Sequence, residues 1–97
     1  MSMGGDLVAR GYVVRGRVQG VGFRWFTQRI GVRLGVAGHV RNLPDGGVEV
    51  HVRGSPEALQ AFEAALRQGP PSSRVEAVVH IPADPRTPDR GFLMEEW

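Results

Sequence analysis

The chain of 97 residues is long enough for one small hydrophobic core and too short for two. It contains no cysteine, which excludes disulfides, thiolate nucleophiles and cysteine-ligated metals. The basic residues are all arginine and the formal net charge is only +2, so the pI near 10.4 does not by itself indicate a nucleic-acid partner.

No apolar stretch is long enough to span a bilayer, and residues 1–6 lack the basic and apolar regions of a signal peptide. We therefore expect a soluble cytoplasmic protein without a membrane partner, which agrees with the absence of cysteine. No repeat or linker divides the chain. A single domain over residues 1–97 is predicted, with residues 1–6 flexible.

The first two predicted elements are a strand and a helix. Apolar and polar residues alternate from Tyr12 to Val18, which is typical of a half-buried strand. From Phe23 the apolar residues recur at helical spacing as far as Leu34. This pattern predicts an amphipathic helix that ends at Gly35.

A hairpin and a second helix follow. A strand over residues 36–42 leads into turn residues 43–47, and valines alternate with polar residues from Val48 onward. Ser55 is the expected N-cap of the second helix, with Pro56 at its first position. Gly69 and the prolines after it are expected to end that helix.

The last two predicted elements are strands. Val75, Ala77, Val79 and Ile81 alternate with other residues and predict a fourth strand, and residues 92–97 predict a short final one. The order β-α-β-β-α-β with right-handed crossovers predicts an α+β, ferredoxin-like split βαβ sandwich. Its sheet contains antiparallel pairs, and both helices lie on one face.

The run from Gly16 to Arg24, GRVQGVGFR, lies where the first strand passes into the first helix. Gly20 and Gly22 allow backbone angles that direct several N–H groups toward one point, where a helix N-terminus already favours negative charge. Arg24 adds a fork of donors that matches a tetrahedral oxyanion. These features predict a phosphate-binding loop.

Two motifs resemble the acylphosphatase family. The run from Gly16 to Arg24 is similar to its phosphate-loop signature, and the segment from Gly38 to Gly54 is similar to its second signature, Gly-aromatic-Val-x-Asn-x-x-x-Gly-x-Val-x-x-x-x-x-Gly. The one departure is His39, where the family usually has Phe, Tyr or Trp. The resemblance covers the chain from about Tyr12 onward and implies the same ferredoxin-like fold.

The resemblance also implies a reaction and its residues. An acylphosphatase hydrolyses a carboxyl-phosphate anhydride to a carboxylate and inorganic phosphate, without a metal or other cofactor. Asn42 resembles the asparagine that positions the attacking water. The expected partners are a small acyl phosphate and inorganic phosphate, the latter as product and inhibitor. The residues expected to bind the substrate phosphate, through loop amides and the arginine side chain, are Gln19, Gly20, Val21, Gly22, Phe23 and Arg24.

The sequence alone leaves other interpretations of these residues open. The glycine run could be a turn without a ligand, Arg24 could pair with a nearby acid, and Asn42 could serve only the turn that follows it. By strand alternation His39, His51 and His80 are expected on the open face of the sheet, where a metal site is conceivable. RNA could bind the arginines of that face, but few aromatic residues accompany them, so nucleic acid is not the expected partner.

Overall fold

A computed structural model describes residues 7–95 of the chain, so the predicted flexibility of residues 1–6 lies outside the described part. The final strand is described as far as Glu95, and the rest of its predicted range lies outside the described residues. The first strand begins earlier than predicted, at Val8. The described elements, in chain order, are β1 (Val8–Arg17), α1 (Phe23–Leu34), β2 (Ala37–Asn42), β3 (Val48–Gly54), α2 (Pro56–Gln68), β4 (Arg74–Ile81) and β5 (Phe92–Glu95).

The strands form one mixed sheet in the order β4-β1-β3-β2-β5. The β1–β3, β1–β4 and β2–β3 pairs are antiparallel, and β5 pairs with β2 in the parallel direction. The helices contact each other, and each also packs against strands of the sheet. The predicted ferredoxin-like sandwich is confirmed.

The hydrophobic core lies between the sheet and the two helices. The central residues of β1 and the valines of β3 that alternate toward the helices are fully buried there, as the valine pattern of the sequence requires: Tyr12, Val14, Val48, Val50 and Val52. Burial of these side chains supplies most of the stabilisation of a chain this small. The largest fully buried side chains are Tyr12, Phe23, Phe62, Leu59 and Leu66.

The predicted helix ends are confirmed. Gly35 follows α1 in the left-handed conformation with φ 70°, which a residue with a side chain rarely adopts. Ser55 caps α2 by accepting a hydrogen bond from the amide of Ala58 at 3.1 Å, with Pro56 at the first helical position. Within residues 7–95 neither helix has the length and apolar character needed to cross a bilayer.

The predicted alternation of β4 is wrong in part, because the pairing of β1 with β4 shifts register. Arg15 lies opposite Ala77 but Gly16 lies opposite Val75, so one residue of β4 is extra at this bulge. Val75 packs against the core, whereas beyond the bulge Val78 is buried and Val79 is 48% exposed. Gly16 has φ 126°, and a Cβ there would collide with the carbonyl oxygen of Arg74.

Candidate active site

The loop between β1 and α1 presents backbone amides at the start of a helix. Gly20 and Gly22 have φ 73° and 77°, and a Cβ on either would meet no atom of the described residues within 4 Å. Glycine is therefore required there by backbone conformation and not by packing. Gly22 is the N-cap of α1, and no side chain among residues 7–95 caps the helix. The N–H groups of the first turn therefore have no partner within the helix and can bind an anion.

The side chain of Gln19 ties this loop to the turn between β2 and β3. Its amide nitrogen donates to the carbonyl oxygens of Leu43 at 2.7 Å and Gly47 at 2.8 Å. These two bonds hold the glycine loop against the turn that directly follows Asn42. From the sequence, Gln19 is predicted only to contribute to the phosphate-binding loop, because nothing in the local pattern indicates side-chain partners this far along the chain.

Arg24 lies in the first turn of α1 and is held from the last strand. Its Nη1 donates a 2.7 Å hydrogen bond to the carbonyl oxygen of Glu95. This partner is a backbone carbonyl, so the hydrogen bond itself does not neutralise the guanidinium charge. The contact holds the side chain against β5, and among residues 7–95 no carboxylate forms an ion pair with Arg24.

One cavity of about 170 Å³ brings most of the predicted site residues together. Arg24 and Asn42 both line it, although they come from α1 and the end of β2. Gln19 and Val21 are not among its lining residues. The lining residues are Val18, Gly20, Gly22, Phe23, Arg24, Trp25, Asn42 and Met94. The cavity thus brings together the amides of a helix N-terminus, a cation and a neutral amide side chain. Its volume suits a small phosphorylated ligand.

The face of the sheet that lies away from the helices is less open than the sequence predicts. His39 and His51 are only 9% and 4% exposed, and their rings stack with centroids 5.2 Å apart. The loop between β4 and β5 covers them, with the amide of Asp84 donating to Nδ1 of His51 at 3.1 Å. The expectation that these histidines lie on an open face is therefore wrong, because it depended on alternation alone and ignored this loop.

His51 and Arg41 keep a neighbouring carboxylate ionised. Partial burial by itself raises the pKa of Glu49, but hydrogen bonds from His51 and Arg41, both 2.8 Å long, lower it overall. Because Nδ1 of His51 accepts from Asp84, its Nε2 carries the proton that is donated to Glu49. The two hydrogen bonds therefore assign a proton to Nε2 of His51.

Both ring nitrogens of His39 are buried and have no hydrogen-bond partner in the part of the chain that the structure describes. A carboxylate oxygen of Glu95 lies 3.4 Å from Nδ1, and one of Asp84 lies 3.9 Å from Nε2. We expect His39→Phe to raise the free energy of unfolding at pH 8 by about 1 kcal/mol, because phenylalanine keeps the stacking and removes the unsatisfied nitrogens. Denaturant titration measures the change, and thermal unfolding should shift upward by about 4–8 °C.

His51→Phe is the matched control for this prediction. The ring of His51 has two hydrogen-bond partners, so its replacement should lower the free energy of unfolding. A destabilised His39→Phe variant would show that the carboxylates of Glu95 and Asp84 act as polar partners of the His39 ring nitrogens. Burial of His39 would then not reduce the free energy of unfolding.

His80 does not share the face of the other two histidines. It lies opposite Tyr12, and its ring contacts Tyr12 and approaches Glu63 of α2 at 3.2 Å. The prediction that three histidines share one face is thus wrong, because the bulge changes the parity of β4. Over residues 7–95 no three metal-ligating side chains lie close enough to hold a metal ion together.

Three arginines of the outer face have acidic partners. Arg15 pairs with Asp45 at 2.8 Å, and this hydrogen bond lowers the pKa of the Asp45 carboxyl. Arg41 pairs with Glu49 at 2.7 Å, and Arg53 lies 3.5 Å from Asp89. These acids reduce the positive potential that an RNA backbone would meet on this face.

Known proteins resemble the chain over most of its length. The family model described as Acylphosphatase matches residues 10–94. A protein of Koribacter versatilis named Acylphosphatase is 48% identical over 89% of this chain and 78% of its own length. One of Nitrobacter hamburgensis with the same name is 52% identical over 79% of this chain and 78% of its own. The crystal structure of acylphosphatase from Bacillus subtilis is 36% identical, with TM-score 0.79 over 93% of this chain and 99% of that one.

Proposed function

The chain belongs to the acylphosphatase family, and from this we propose how its own residues hydrolyse an acyl phosphate. It is an enzyme whose substrate is a small acyl phosphate. Arg24 and the amides that begin α1 hold the phosphoryl group, and Asn42 orients the attacking water. The observation that carries this proposal is the single cavity that Arg24, Asn42 and the glycine loop line together.

The reaction requires little acid–base chemistry from the protein. In the balanced step, R–CO–O–PO₃²⁻ and H₂O give R–COO⁻ and H₂PO₄⁻. The bond between phosphorus and the bridging oxygen breaks, and the carboxylate leaves with its electron pair. Because the conjugate acid of this leaving group has a pKa of about 4, no general acid is needed.

Arg24 and the loop amides stabilise the charge on the transferred phosphoryl group. Charge spreads over its equatorial oxygens in the transition state, and fixed donors around those oxygens lower the barrier. The bond from Arg24 to the Glu95 carbonyl holds the guanidinium in place before substrate arrives, which limits the entropy lost on binding. Inorganic phosphate presents the same oxygens and should inhibit as a product.

Asn42 and Gln19 have separate positioning roles. The Asn42 amide can hydrogen-bond a water but cannot take its proton, so the proton passes to a phosphate oxygen of the substrate. Gln19 acts through its two bonds to the turn after Asn42, which set the distance between the water site and the phosphate loop. Nearby Asp45 faces Arg15 and is already engaged.

Metal chelation should leave this activity unchanged, since Arg24 and backbone amides supply the positive charge that a metal otherwise provides. Benzoyl phosphate hydrolysis, measured with excess EDTA, should proceed at the untreated rate. An alkyl phosphate should be hydrolysed at least about 100-fold more slowly, because its alkoxide leaving group needs a proton that the proposed site does not supply. Activity lost with EDTA and restored by magnesium or zinc would contradict the mechanism.

The proposal also covers the binding partners of the protein and its cellular compartment. The ion pairs of Arg15, Arg41 and Arg53 support the expectation that nucleic acid is not a partner. A chain without cysteine suits a reducing compartment, which supports a cytoplasmic location.

A further inference from the structure

Two exposed apolar side chains flank the phosphate-binding arginine. Trp25 follows Arg24 in the first turn of α1 and is 55% exposed, and Met94 precedes Glu95 in β5 and is 38% exposed. Both line the same cavity as Asn42. Large apolar side chains held in water beside a polar binding site are a feature that the phosphate chemistry does not use.

The indole of Trp25 is held in place by a neighbour on the same helix. The guanidinium carbon of Arg29 lies 4.5 Å from the centroid of the Trp25 ring, a cation–π contact one helical turn along. Arg29 covers one face of the indole, so a ligand meets its other face or its edge. An ordered aromatic surface of this kind gains contact energy without losing much side-chain entropy.

Met94 supplies an apolar wall from a different element. It lies opposite Val40 in the parallel pairing of β2 and β5, on the side of the sheet that packs against the helices. Its unbranched thioether adapts to the shape of an apolar partner and makes favourable contacts with aromatic rings. Trp25 and Met94 therefore offer two apolar surfaces beside the oxyanion donors.

We propose that Trp25 and Met94 bind the acyl side of the substrate and make the enzyme selective for acyl phosphates with an apolar ring. The proposal rests on the proposed function, because it takes Arg24 as the ligand of the phosphoryl group. Trp25 and Met94 exchange no proton or electron. The same bond between phosphorus and the bridging oxygen breaks, and the aromatic carboxylate leaves along the apolar wall.

The test compares kcat/KM for benzoyl phosphate and acetyl phosphate in the wild type and in Trp25→Ala. The change in their ratio cancels the intrinsic reactivity of each substrate and any general damage to the phosphate site. Trp25→Ala should lower kcat/KM about fivefold for benzoyl phosphate and less than about twofold for acetyl phosphate. Met94→Ala should act in the same direction, and Trp25→Phe should retain most of the selectivity.

Val32→Ala is the matched control, since Val32 is also an exposed apolar residue of α1 but does not line the cavity. It should leave both substrates unchanged, and inhibition by inorganic phosphate should be the same in all variants. Equal losses for both substrates in Trp25→Ala, with acyl phosphates still hydrolysed, would overturn the acyl-binding role alone. A wild-type protein that hydrolyses neither substrate would overturn the proposed function together with it.

Discussion

Arg24→Ala is expected to lower kcat/KM for benzoyl phosphate by at least about 100-fold, the usual cost of losing one oxyanion donor. The loss should exceed this value for a charged donor, because the doubly negative phosphoryl group would be held by amides alone. Inhibition by inorganic phosphate should weaken in parallel, since Arg24 is proposed to bind the same oxygens in substrate and product. Initial rates at several substrate and phosphate concentrations measure both effects.

Arg33→Ala is the matched control for this variant. Arg33 is an exposed arginine in the last turn of the same helix and does not line the cavity, so its loss changes the net charge equally. Arg24→Ala also removes one hydrogen bond to Glu95, a contact at the end of an edge strand, and far-ultraviolet circular dichroism should show the fold retained. More than about a tenth of wild-type kcat/KM in Arg24→Ala would exclude Arg24 as the phosphate ligand.

Asn42→Ala is expected to lower kcat about 100-fold, because a water that is no longer oriented loses the alignment the in-line attack requires. Affinity for inorganic phosphate should change little, since Arg24 and the loop amides are intact. Steady-state kinetics together with phosphate inhibition separate the two effects.

A parallel loss of phosphate affinity in Asn42→Ala would contradict the division of roles between Asn42 and Arg24. Gln19→Ala provides a useful comparison. Its side chain holds the loop against the turn through Leu43 and Gly47, so its loss should lower both kcat and phosphate affinity.

Local signals in the sequence predicted most of the fold. The Ser55-Pro56 start of α2 and Gly35 at the end of α1 act through hydrogen bonds and backbone angles within a few residues. The valine alternation of β3 matches its buried face without a break. Each of these features depends on neighbours in the chain, which is why a single sequence is enough to place them.

The errors concern contacts between distant segments. The buried side of β4 depends on a bulge opposite Gly16, and the apolar alternation around Val75 and Val79 gives no sign of it. The burial of His39 and His51 depends on a loop that folds over the sheet from beyond β4. Strand parity predicts which face a side chain is on but not what covers that face.

The same contrast between local patterns and contacts of distant segments applies to the candidate site. The glycine run and Arg24 were identified from local pattern, whereas the hydrogen bonds that hold them, from Gln19 to the turn and from Arg24 to Glu95, join residues far apart in sequence. Arg24 and Asn42 line one cavity because of the way the strands pair. Only the family resemblance predicted that both residues belong to one site. The sequence pattern did not indicate Trp25 as a site residue, because an aromatic residue on a helix is usually part of the core.

The central claim, that an oriented water attacks the phosphorus atom held at Arg24, is tested most directly by hydrolysis in water enriched in the heavy oxygen isotope. Benzoyl phosphate is turned over with excess EDTA, and mass spectrometry of both products shows where the label enters. The proposed mechanism places the heavy oxygen in inorganic phosphate and none in benzoate. Label in benzoate would show that water attacks the carbonyl carbon, and it would contradict the roles assigned to Arg24 and Asn42.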